Sequence, residues 1–62
     1  MEMTYKVLSY HNDSKQVEER SFSELTEAVK YYMQLVGTAE LVSAALLEIN
    51  EQQERILQFY AR

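Results

Sequence analysis

The sequence predicts a small two-layer α+β domain in the order β-β-α-β-β, an antiparallel sheet with one helix packed on a face. Three observations carry this. Residues 3–10 alternate in character and are rich in tyrosine and β-branched residues. A helical stripe of apolar residues ends at the only glycine, Gly37. The apolar C-terminal third is cut by a polar run, Asn50-Glu51-Gln52-Gln53-Glu54-Arg55. A helix laid across one face of an antiparallel sheet buries the apolar side of both.

The first strand is read over Met3 to Tyr10. Side chains alternate across a strand, so Tyr5 and Val7 share one face and Lys6, Leu8 and Tyr10 the other. His11-Asn12-Asp13-Ser14-Lys15 has turn chemistry, because short polar side chains hydrogen-bond their own backbone. His11 is thereby expected as an exposed turn residue. Gln16 to Ser21 then returns as a polar edge strand, whose charges discourage pairing with other chains.

The helix is expected over about residues 22–36. Ser21 with Glu24 fits a capping box, and Ser23 is the rival N-cap. Glu24 and Glu27 suit the positive end of the helix dipole. Phe22, Leu25, Ala28, Val29, Tyr32, Leu35 and Val36 recur at helical spacing. Gly37 follows where a C′ glycine belongs.

Residues 38–61 admit two readings. Their residue types favour helix, and a second helix capped by Thr38 would give the order β-β-α-α. In such a helix the polar run would cover more than a turn and a half, with Gln52 and Gln53 on the apolar side. As a turn the same run costs nothing. A second hairpin, with strands near 41–49 and 54–61, is therefore preferred. One face of the resulting sheet meets the helix. The other is expected to carry Leu8, Tyr10 and some of Leu46, Leu57 and Phe59.

With 62 residues the chain makes a single domain. At this size one core contributes only a few kcal/mol, and small domains commonly add disulfides, metals or a partner chain. There is no cysteine and one histidine, His11. Disulfides and thiolate or histidine-rich metal sites are thus excluded. Very regular local structure, self-association or both remain, and a homodimer is expected.

Conventional catalytic constellations each lack a part. Nucleophilic catalysis needs an activated nucleophile beside a base. None of Ser9, Ser14, Ser21, Ser23 and Ser43 sits in a Gly-x-Ser-x-Gly setting. One glycine cannot form a phosphate-cradling loop. Asn12-Asp13 lacks the spacing and terminal glutamate of a calcium loop. Paired carboxylates, Glu18-Glu19 and Glu24/Glu27, read as solvated surface. No enzyme activity, cofactor or metal is expected.

Ten acidic residues against six basic ones give a net charge of -4. This opposes binding to phosphate backbones, which rests on cationic contacts. No apolar run is long enough to span a membrane. The start, Met1-Glu2-Met3-Thr4-Tyr5-Lys6, lacks signal-peptide features. The location expected by default is cytoplasmic.

The surplus of aromatic residues, five tyrosines among them, points to binding. Tyrosine supplies contact area at low entropic cost. Candidate interface residues are Tyr5, Leu8, Tyr10, Tyr31, Leu57, Phe59 and Tyr60. Glu18, Glu19, Glu24, Glu27, Glu48, Glu51 and Glu54 form a candidate acidic surface. The expected function is that of a small acidic, non-enzymatic protein-binding module acting as a homodimer, a regulator or inhibitor. In size and make-up it resembles many small proteins of phages and mobile elements. Two alternatives remain open. One is a nucleic-acid mimic that inhibits a DNA-handling protein, which needs the acidic residues on one continuous ridge. The other is weak nucleic-acid binding by tyrosines on the sheet.

Overall fold

The computed structural model describes residues 3–13 and 15–61. The expectations that touch Met1, Glu2 and Ser14 lie outside the described residues. The elements are β1 (Thr4–His11), β2 (Val17–Phe22), α1 (Leu25–Val36), β3 (Leu41–Ile49) and β4 (Glu54–Ala61). The strands form one antiparallel sheet in the order β2-β1-β3-β4. The β-β-α-β-β order expected from the sequence is the one found, and the second hairpin has the anticipated limits.

The polar run at residues 50–55 makes this hairpin because Asn50 organises the turn. Its Oδ1 accepts hydrogen bonds from the backbone N–H groups of Gln52 at 2.8 Å and Gln53 at 2.9 Å. The Asn50 N–H donates to the Gln53 carbonyl at 3.0 Å. An asparagine side chain that satisfies two backbone donors here competes directly with helix. The β1–β2 connection closes differently. The Lys15 N–H donates to the His11 carbonyl at 2.9 Å, and Lys15 takes a left-handed φ of 55°.

Three local expectations are corrected. First, the helix begins at Leu25 rather than near residue 22. Ser21 and Phe22 are held in β2, opposite Lys6 and Tyr5. Sheet pairing thus removes the capping box: Glu24 is the N-cap, with no side-chain cap bond. Second, Gly37 is not in the left-handed region; its φ is -82°. Gly37 still ends the helix as its C-cap, and Thr38 beside it completes the end, its N–H donating to the Leu35 carbonyl and its hydroxyl to the Gln34 carbonyl. A Cβ at position 37 would meet the nearest atom, the Gln34 carbonyl oxygen, at an ordinary 3.6 Å. Third, His11 is not an exposed turn residue. It ends β1 half-buried, with Nε2 3.9 Å from Glu18 Oε2.

The core lies between α1 and one sheet face. Val7, Ala28, Tyr32, Leu35, Leu41, Ala44 and Leu46 are its buried members. Tyr5, Phe22, Tyr31, Val36, Leu57 and Tyr60 close around them. The pairing explains the set: Val7 lies opposite Leu46 and Ser9 opposite Ala44, so β1 and β3 turn these side chains to the helix together. On α1, Ala28, Tyr32 and Leu35 recur at helical spacing and form its buried line.

Burial raises the pKa of the Tyr32 phenol above its ordinary 10.0, because the charged phenolate loses hydration. The folded chain then holds a proton that the unfolded chain releases. The stability linked to Tyr32 is complete below the ordinary value and is lost as pH rises beyond it. The urea midpoint is therefore expected to fall between about pH 9 and about pH 11, and to fall less steeply in Tyr32→Phe. Parallel declines in the two proteins would contradict this.

Candidate functional surface

The sheet face turned away from α1 is built by alternation. With Val7 and Ser9 under the helix, Lys6, Leu8 and Tyr10 point outward from β1. Their partners share that face. Leu8 lies opposite Glu19 on β2 and Ala45 on β3, and Tyr10 lies opposite Val17 and Ser43. Ala45 is in turn opposite Phe59, and Leu47 opposite Ile56. Two transverse rows result, Val17–Tyr10–Ser43–Ala61 and Glu19–Leu8–Ala45–Phe59, with Ser21–Lys6–Leu47–Ile56 beside them.

This open face is mostly apolar. Val17 is 67%, Ile56 62% and Phe59 66% exposed. Between the large side chains runs a shallow trough of about 210 Å³. Leu8, Tyr10, Val17 and Phe59 form its rim, and Ser43 and Ala45 contribute to its floor. Lys6 is a cation of this face, and its Nζ lies 3.5 Å from Glu19 Oε1.

A register shift between Leu46 and Leu47 shapes the β4 side. Gln58 lies opposite Leu46 but Ile56 opposite Leu47, so Leu57 is the extra residue of a bulge. The bulge turns Leu57 to the core and leaves Ile56 and Phe59 together on the open face.

The candidate interface residues are consequently divided. Leu8, Tyr10 and Phe59 come together on the open face. Tyr5, Leu57 and Tyr60 pack against the core from the other side, with Tyr31. Tyr31 meets Phe22 with ring centroids 5.5 Å apart and lies under the Arg20 guanidinium at 5.0 Å. Leu46, one of the residues considered for the open face, is in the core. Sequence reasoning missed Val17, Ala45, Leu47 and Ile56. Val17 was legible as the apolar residue of a charged strand. Ile56 was hidden by the bulge.

The acidic residues are divided too. Glu19 projects from the open face toward Lys6. Glu18 lies on the helix side with His11, and Glu48 also, 3.6 Å from Arg55. Glu24 and Glu27 belong to the start of α1, whereas Glu51 and Glu54 flank the β3–β4 turn. They form no continuous ridge, and cations interleave with them. Nor do the tyrosines make a stacking platform, since Tyr5 and Tyr60 face the helix and Tyr10 the open side.

Around His11 the chemistry is limited. Ser9, two residues away on the same strand face, is 3% exposed and closed to a substrate. Among the described residues no group of three or more His, Cys, Asp or Glu side chains is arranged to hold a metal ion. Among them, no helix is long and apolar enough to cross a membrane. The chain matches no protein-family model, no curated protein and no solved structure.

Proposed function

We propose that this chain is a non-enzymatic protein-binding module whose docking surface is the open sheet face. One observation carries the reading: Val17, Ile56 and Phe59 project largely exposed around Leu8, Tyr10 and Ala45 on a single surface. Contiguous apolar surface rimmed by polar groups is how proteins present a binding site to other proteins. Aromatic anchors around a small-residue floor favour insertion of a partner side chain. The module acts by occupancy, as a regulator or inhibitor does, and uses no chemistry of its own. The divided acidic residues give no support to a nucleic-acid mimic. Lys6, engaged with Glu19, gives little to a direct nucleic-acid binder.

A photo-crosslinking residue placed at Phe59 in living cells tests this. Covalent adducts with protein, including a second copy of the chain, are expected there. The same probe at Met33, exposed on α1, is the comparison and should give none. Absence of adducts at Phe59, or equal adducts at both positions, would end the proposal.

A further inference from the structure

We infer that the occupant of the open face is a second copy of this chain, packed face to face about a twofold axis that runs parallel to the strands between β1 and β3. The inference rests on the open face being a protein-docking surface.

Self-complementary shape supports it. Such an axis leaves strand direction unchanged and exchanges β1 with β3 and β2 with β4. Each transverse row is then laid over its own reversal. Leu8 comes over Ala45 of the other copy, and Ala45 under its Leu8. Tyr10 comes over Ser43, and Val17 over Ala61. Ile56 comes over Ser21. In these four pairs a large side chain meets a small one, while at the two remaining places Glu19 comes over Phe59 and Lys6 over Leu47, where long flexible side chains can bend aside. Facing sheets pack about 10 Å apart with interdigitating side chains, which requires this alternation. A twofold axis across the strands along the Leu8 row would instead set Leu8 on Leu8 and leave Ala45 facing Ala45. That arrangement overfills one point and leaves a void at its neighbour.

Size and charge agree. Four strands about 4.8 Å apart, with central strands of eight and nine residues, present a footprint of about 20 by 25 Å. Two such faces cover about 1,000 Å² in projection, the minimum for a biological interface and the size of a weak, reversible one. Despite the chain's charge of -4, the centre of the face bears no acid. Glu19 lies on the edge strand β2 and pairs with Lys6 of its own chain on the central strand β1, so the two Lys6 side chains that the axis brings near each other each carry their own counter-charge. The Lys6 stem can lie along the Leu47 side chain while its ammonium stays wet.

The test is association in solution. Light scattering at high micromolar concentration is expected to give twice the 7.3 kDa of one chain. Phe59→Asp, on an exposed edge position, is expected to raise the dissociation constant by about 10–100-fold without unfolding the chain. Leu8→Ala and Ala45→Leu are each expected to weaken self-association, and their mixture to form a heterodimer, because each lacks what the other supplies. In a mixture of 13C-labelled and unlabelled chains, filtered nuclear Overhauser effects are expected between Leu8 methyls and the Ala45 methyl of the other copy. Effects linking Ala45 to Ala45 in their place would overturn the axis. A dimer unaffected by Phe59→Asp would overturn the face. A monomer at all concentrations would overturn the second copy. If the Phe59 crosslinker still captured another protein, the docking surface would stand without self-association. A monomer with no adduct at Phe59 would remove both.

Discussion

Leu46→Ala is expected to lower the unfolding free energy by about 2–5 kcal/mol. Leu46 is 2% exposed, on a central strand, and faces α1 beside Val7. The substitution removes three carbons where the sheet backbone on both sides is fixed by pairing to β1 and β4. The site therefore cannot collapse around the loss, and a cavity remains. A domain of this size rarely draws more than about 3–5 kcal/mol from one core. Most of the available stability would go, and the melting temperature would fall by at least about 8 °C. Circular dichroism at low chain concentration, where association adds nothing, reads this directly. Met33→Ala, 65% exposed on α1, is the control and is expected to change stability by less than about 0.5 kcal/mol. Equal effects at the two positions would contradict the placement of the core.

Ala28→Leu is expected to destabilise by about 1–3 kcal/mol for the opposite reason. Ala28 is 0% exposed on the buried line of α1. A methyl group at this point lets the helix axis approach the sheet. Leucine is as good a helix former as most residues, so the substitution leaves local propensity nearly untouched. Its cost arises from packing alone, because the added carbons must lift the helix or displace Tyr32 and Leu35. Urea titration should show a lower midpoint with an unchanged slope. An unchanged midpoint would mean that space exists above the sheet.

The same distinction between local preference and long-range packing decides how much was legible in the sequence. Alternation identified both faces of β1 correctly, since Val7 and Leu8 are assigned by a rule that needs no partner. Asn50 and its polar neighbours marked the second turn for a reason the structure makes explicit: side-chain acceptors meet backbone donors. The helix start was misread because Ser21 and Phe22 satisfy a capping pattern and a strand pairing equally well, and only Lys6 and Tyr5 decide between them. The open face was half legible. Leu8, Tyr10 and Phe59 follow simple alternation. Leu57 and Ile56 exchange faces because of a bulge against β3, a feature of pairing that no single strand announces.

The central seam between β1 and β3 also governs how the chain reaches this structure. Each hairpin is local, and isolated hairpins form within about 1–10 μs. The seam joins residues distant along the chain, Val7 to Leu46, across the whole of α1. Its closure entropy must be met before its contacts repay it. The core is spread over β1, α1 and β3, so neither hairpin carries a core of its own. Folding is therefore expected to be all-or-none, with seam closure as its slow step. Strengthening either turn would leave that barrier standing, whereas a covalent link across the seam would lower it.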